Sequence, residues 1–182
     1  YSYRNFITLK GIYGRPRLYS DYADSWVRGA DLSLSLSDIA GWKNLLFSVE
    51  GSYINRYEEV PEEMADIAEP SIDMFSARAN FDWNGFNASV EYVGKSNDVS
   101  PSLIGVTEKG HGLLAEMGYS CRNFSVLATY RELKYMNTQL SLTGEGVGNV
   151  LNYLPALTRQ YTYMLANLNP YQSSGEGERG GQ

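Results

Sequence analysis

The sequence predicts an all-β fold: an antiparallel up-and-down transmembrane β-barrel, about eight strands of a larger barrel, with short turns at one end and long loops at the other. Three observations predict it. Two successive hairpins between Met74 and Tyr135 alternate apolar and polar side chains almost without interruption. Connections along the chain alternate between short and long. Most strands also reach the ~9–11 residues that a tilted strand needs to cross a bilayer core, against the ~5–6 usual in globular sheets.

The elements follow from period-two alternation, since successive strand side chains point to opposite faces. The expected strands are Asn5–Tyr13, Trp26–Leu36, Leu45–Tyr57, Asp73–Trp83, Phe86–Lys95, His111–Cys121, Phe124–Tyr135 and Arg159–Leu168. In the first, Ile7, Leu9, Gly11 and Tyr13 oppose Thr8 and Lys10. In the fourth, Phe75, Ala77, Ala79, Phe81 and Trp83 share one face, and Asn84-Gly85 then reverses the chain. Asn-Gly is a strong hairpin signal because both central residues of a type I′ turn need positive φ. The return strand carries Phe86, Ala88, Val90 and Tyr92 on the same face. The next hairpin repeats the device, with Leu113, Ala115, Met117 and Tyr119 leading through Arg122-Asn123 into Phe124, Val126, Ala128 and Tyr130. Short connections are expected at Asp38–Asn44, Asn84-Gly85 and Arg122-Asn123, and long ones at Gly14–Ser25, Glu58–Ile72, Ser96–Gly110 and Met136–Thr158. Outer-membrane barrels segregate short and long connections in this way.

The two faces then have different expected environments. Phe75, Phe81, Trp83, Phe86, Val90, Tyr92, Met117, Tyr119, Phe124 and Val126 read as lipid-facing or girdle residues. Aromatics collect toward both strand ends: Trp42, Trp83, Phe86, Tyr119 and Phe124 at one, and Tyr13, Tyr53, Tyr57, Phe75, Tyr92 and Tyr130 at the other. Such belts suit the two membrane interfaces. Asp31, Glu50, Arg78, Asn80, Glu91, Glu116 and Arg131 read as lumen-facing. The Asn84-Gly85 turn sets Arg78 opposite Glu91, an expected cross-strand ion pair of roughly 0.2–1 kcal/mol.

The 182 residues are 43% hydrophobic and 20% charged, enough for a sizeable core and inconsistent with gross disorder. No run of about eighteen apolar residues occurs, which excludes a transmembrane helix. A mean hydropathy of -0.35 would suit a soluble protein, but a barrel turns only alternate residues to lipid and keeps its average low. The net charge of -6 and the scattered basic residues argue against nucleic acid. Cys121, the single cysteine, forbids an internal disulfide. Residues 1–182 read as one barrel segment, without a signal peptide of its own and with both ends cut, so an internal fragment of a longer chain is expected.

Signals for chemistry are sparse. The lone histidine, His111, lies where a long loop enters a strand, but two residues on stands Leu113 and no His-x-Ser pair exists. No catalysis and no cofactor are expected. The acidic loop Glu58, Glu59, Glu62, Glu63, Asp66 and Glu69 lacks the spacing of a calcium loop and reads as a solvated loop. Gly144-Glu145-Gly146-Val147-Gly148 lacks the Lys-Ser/Thr of a phosphate loop. The sequons Asn87-Ala88-Ser89 and Asn123-Phe124-Ser125 lie at tight turns, where the match is accidental.

Four stretches carry a wider likeness: Lys10 to Arg17, Ser25 to Leu32, Phe81 to Phe86 and Asn152 to Tyr163. On them the chain resembles an uncharacterised family of Bacteroidota outer-membrane barrel proteins. That resemblance implies a larger parent barrel, a bacterial outer-membrane location and no catalytic residues. The expected partners are outer-membrane lipid, with small polar solutes or a surface protein partner. Two functions are expected to compete: a porin-like channel or scaffold barrel, and a soluble or surface-exposed all-β protein that binds a partner through long, Tyr-rich acidic loops.

Overall fold

The computed structural model describes residues 7–14, 25–60, 62–66, 68–99, 107–136 and 177–181. They form one antiparallel sheet of eight strands whose spatial order is their order in the chain. The strands are β1 (Ile7–Gly14), β2 (Ser25–Ser35), β3 (Leu45–Glu58), β4 (Ser71–Trp83), β5 (Phe86–Val99), β6 (Thr107–Cys121), β7 (Phe124–Lys134) and β8 (Gly177–Gly181). Pairing runs continuously from β1 to β8, and among the described residues no pair joins β8 back to β1, so the sheet is open. It is an all-β, up-and-down wall.

The turns explain the register. Asn84 and Gly85 have φ of 49° and 83°, the two left-handed residues that a type I′ turn requires. The turn aligns Trp83 with Phe86 and Arg78 with Glu91. It also docks on the next hairpin: the Ser120 N–H donates to the Gly85 carbonyl at 2.8 Å. A Cβ at Gly85 would collide with the Ser120 carbonyl, so glycine is needed for space as well as for conformation. The Arg122-Asn123 turn aligns Cys121 with Phe124 and uses no positive φ.

Several expectations are corrected. The connection Ser96–Gly110 is mostly strand, because β5 runs on to Val99 and β6 begins at Thr107. A bulge between Lys95 and Asn97 permits this. It breaks the period-two count that had ended the strand at Lys95. The contrast in connection length is therefore weaker than expected, since residues 100–106 make a shorter link than residues 36–44. That second link contains a one-turn helix, α1 (Leu36–Ala40), too short to leave a helical period in the sequence. Ser35 Oγ donates to Asp38 Oδ2 at 2.6 Å at its start, and Gly41 ends it with φ of 70°. The expected eighth strand, Arg159–Leu168, lies outside the described residues. The strand that pairs with β7 is Gly177–Gly181, which is absent from the expected strands.

Candidate functional site

Strand parity sorts the side chains into two faces, and the site is built from the polar one. Glu50, Arg78, Glu91, Leu114 and Arg131 stand side by side across β3 to β7. One step nearer the tight turns follow Ser48, Asn80, Ser89, Glu116 and Thr129. Asp31 shares this face, opposite Ser52.

Arg78 is the hub, but not of the ion pair expected across the hairpin. Although it stands opposite Glu91, its Nη2 lies 2.8 Å from Asp31 Oδ2 and its Nε 3.2 Å from Glu50 Oε2. Nη2 also donates to Ser52 Oγ at 3.0 Å, and Ser52 Oγ donates to Asp31 Oδ2 at 2.6 Å. Glu91 is served instead by Ser76, whose Oγ donates to Oε1 at 2.9 Å. The reason is donor geometry: a guanidinium offers a fork of N–H groups, and β2 and β3 present two carboxylates and a hydroxyl where β5 presents one carboxylate. Arg78 thus ties three strands together. These side chains keep 26–37% of their surface in solvent, so water and salt screen each contact and its contribution to stability is small. Asp31→Asn should accordingly lower the urea midpoint of the folded protein more than Glu91→Gln does. The opposite ranking would restore the straight-across pair.

The other face carries an apolar band. Phe75, Trp83, Val90, Tyr92, Met117, Tyr119, Phe124 and Val126 are all exposed, between 43% and 58%. Phe81 packs against Phe47 and Phe86 with ring centroids 6.4 and 5.9 Å apart, and Phe75 meets Tyr92 at 6.0 Å. The Phe75 ring also lies over Gly94, its cross-strand partner, where a Cβ would strike it. Beyond Phe75 the same face turns polar. Tyr53 Oη donates to Asp73 Oδ1 at 2.5 Å, Asn55 Nδ2 donates to Ser71 Oγ and Asp73 Oδ1 at 2.8 Å each, and Arg28 Nε donates to Asn55 Oδ1 at 3.1 Å. Toward β8, Glu132 plays the corresponding part: it accepts from Tyr130 Oη at 2.8 Å and from Arg179, with His111 Nε2 3.9 Å away. His111 therefore faces a carboxylate already held by two donors, on the apolar face rather than in a cleft.

A second charged cluster lies at the long-loop end of the polar face, and sequence reasoning missed it. Arg56, Glu58, Lys95 and Asp98 are buried to between 1% and 4% exposure. Lys95 Nζ donates to Asp98 Oδ2 at 3.1 Å, and Arg56 lies within electrostatic reach of Asp98 and Glu58. Two cations thus answer two anions, as burial requires. Residues three apart on a regular strand point to opposite faces; the bulge between Lys95 and Asn97 turns Asp98 back toward Lys95. The parity of Arg56 and Glu58 with Glu50 was the available signal, but nothing in the sequence announced the bulge. Among the described residues no group of three or more His, Cys, Asp or Glu side chains could hold a metal ion, and no helix is long and apolar enough to cross a membrane.

Compared with curated proteins and with solved structures, the sequence finds no match. One family model matches, that of DUF6029, described as a family of unknown function, over residues 1–182.

Proposed function

We propose that this chain, which belongs to the DUF6029 family, forms part of the wall of a bacterial outer-membrane β-barrel, either a porin-like channel for small polar solutes or a scaffold for a surface complex, without catalysis. The observation that carries this reading is the bounded apolar band on one face of an up-and-down sheet whose other face is charged. From Phe75 to Trp83 the band runs about 27 Å along the strand at ~3.4 Å per residue, or about 20 Å once tilted by the ~40° usual in such walls. Its girdle rings extend that toward the ~25 Å of a lipid-facing zone. The band ends where Asn55, Ser71 and Asp73 exchange hydrogen bonds, groups that require water or each other rather than hydrocarbon. Strands β2 to β7, from 11 residues in β2 and β7 to 15 in β6, are long enough to cross and to project beyond it.

The test is fractionation of cells expressing the full-length protein. The expected result is a band in the outer-membrane fraction that needs detergent and migrates differently when boiled. Recovery in the soluble fraction would overturn the barrel and favour the competing reading, a surface-exposed β protein that binds through its acidic loop, whose Glu59, Glu62, Glu63, Asp66 and Glu69 are exposed.

A further inference from the structure

The polar face is not polar throughout. Across β1, β2 and β3 it sets Lys10, Asp31 and Ser52 side by side, and its next row toward the long loops is Ile12, Gly29 and Ile54. Gly29 draws the two isoleucines together: a Cβ there would lie 2.6 Å from the Tyr53 carbonyl oxygen, 3.2 Å from Ile54 Cγ1 and 3.3 Å from Ile12 Cγ1. An apolar platform results. Ile12 stays 57% exposed on it. The platform and the charged row beside it line a hollow of about 340 Å³, near the lower end of the ~300–1,000 Å³ usual for small-molecule sites.

Two ionic groups of the hollow keep unused capacity. Asp31 receives both Ser52 Oγ and Arg78 Nη2 on Oδ2, and among the described residues nothing donates to Oδ1. Lys10 is exposed. Its ammonium attracts Asp31 through space but forms no ion pair with a described residue. Arg78 offsets only one of the Asp31 and Glu50 carboxylates that it contacts, so the hollow has a negative pole there and a positive one at Lys10.

We infer that this hollow binds a small zwitterion with an apolar side chain, an aliphatic α-amino acid. The ammonium donates to Asp31 Oδ1, the carboxylate accepts from Lys10 Nζ, and the side chain lies on Ile12, Gly29 and Ile54. Lys10 and Asp31 are cross-strand partners, and such partners stand only ~4.5–5.5 Å apart at Cα, a spacing that suits two charges borne on one carbon rather than the separated termini of a peptide. A ligand with one charge fits less well, because an anion alone meets Asp31 and a cation alone meets Lys10. The inference deepens the barrel reading proposed above, on which the solute role rests, by naming the class of polar solute.

Equilibrium dialysis of radiolabelled leucine against the full-length protein in detergent tests it, with outer-membrane fractionation and heat-modifiable migration reporting the barrel separately. Saturable binding is expected. N-acetylleucine and leucinamide, which each lack one charge, and glycine, which lacks the side chain, should displace leucine at least about tenfold less well, the usual worth of a hydrogen bond to a charged group or of a covered aliphatic side chain. Lys10→Met should weaken leucine binding by a similar factor and leave heat-modifiable migration unchanged. No saturable binding by a protein that fractionates with the outer membrane overturns the site and leaves the barrel standing. Displacement by leucinamide as effective as by leucine, or undiminished binding in Lys10→Met, overturns it likewise. Recovery of the protein in the soluble fraction overturns the barrel and the solute role together.

Discussion

Ala79→Arg is expected to abolish assembly of the proposed barrel, whereas Asn80→Arg is expected to leave it intact. Ala79 stands midway along the apolar band, four residues from Phe75 and four from Trp83, between Val49 and Val90 on the flanking strands. In the proposed orientation that is the depth at which an arginine on the lipid face costs most, about 2–4 kcal/mol. A cost of that size is a large fraction of the ~5–15 kcal/mol by which folded proteins are stable. Asn80 lies on the opposite face between Ser48 and Ser89, where a guanidinium finds water and the Glu116 carboxylate further along the same row. The measurement is the heat-modifiable band of each variant in the outer-membrane fraction. Equal yields would show that the two faces do not differ in environment.

The second large effect is expected at the buried cluster. Asp98→Leu should destabilise the fold by about 3–5 kcal/mol, the usual cost of removing one partner of a buried ion pair. Lys95 and Asp98 each keep only 2% of their side-chain surface, so neither can be solvated in place. Without Asp98, two cations share the pocket with the Glu58 carboxylate. Lys95→Met combined with Asp98→Leu should recover most of the loss, because it removes the stranded charge along with its partner. Urea midpoints of the single and double variants, at constant slope, read this directly. A double variant as unstable as the single one would mean that the cluster does not act as a charge-compensated unit.

These two sites differ in how far the sequence revealed them. The Ala79 facing follows from alternation and from Asn84-Gly85, because a two-residue turn with both φ positive leaves one register and a one-residue slip would send every side chain to the wrong face. Local chemistry therefore sufficed for the two central hairpins and for the strand pairings around them. The end of β5 was illegible for the complementary reason: a bulge inserts one residue without a composition of its own, and Ser96, Asn97 and Asp98 read as the start of a polar loop. Gly177–Gly181 was hidden likewise, since a glycine-rich strand carries no alternation.

The sequence by itself determined the all-β class, the antiparallel order of its hairpins and the division into an apolar and a charged face, because period two and turn geometry act between near neighbours. Only the tertiary structure decided which charges meet. Arg78 stands opposite Glu91 yet reaches past β3 to Asp31, since a long, flexible cation settles where carboxylates and hydroxyls are densest rather than where the register points. Burial was decided there too: Arg56, Glu58, Lys95 and Asp98 look like solvated loop and strand ends until strand pairing and the bulge bring them together out of water.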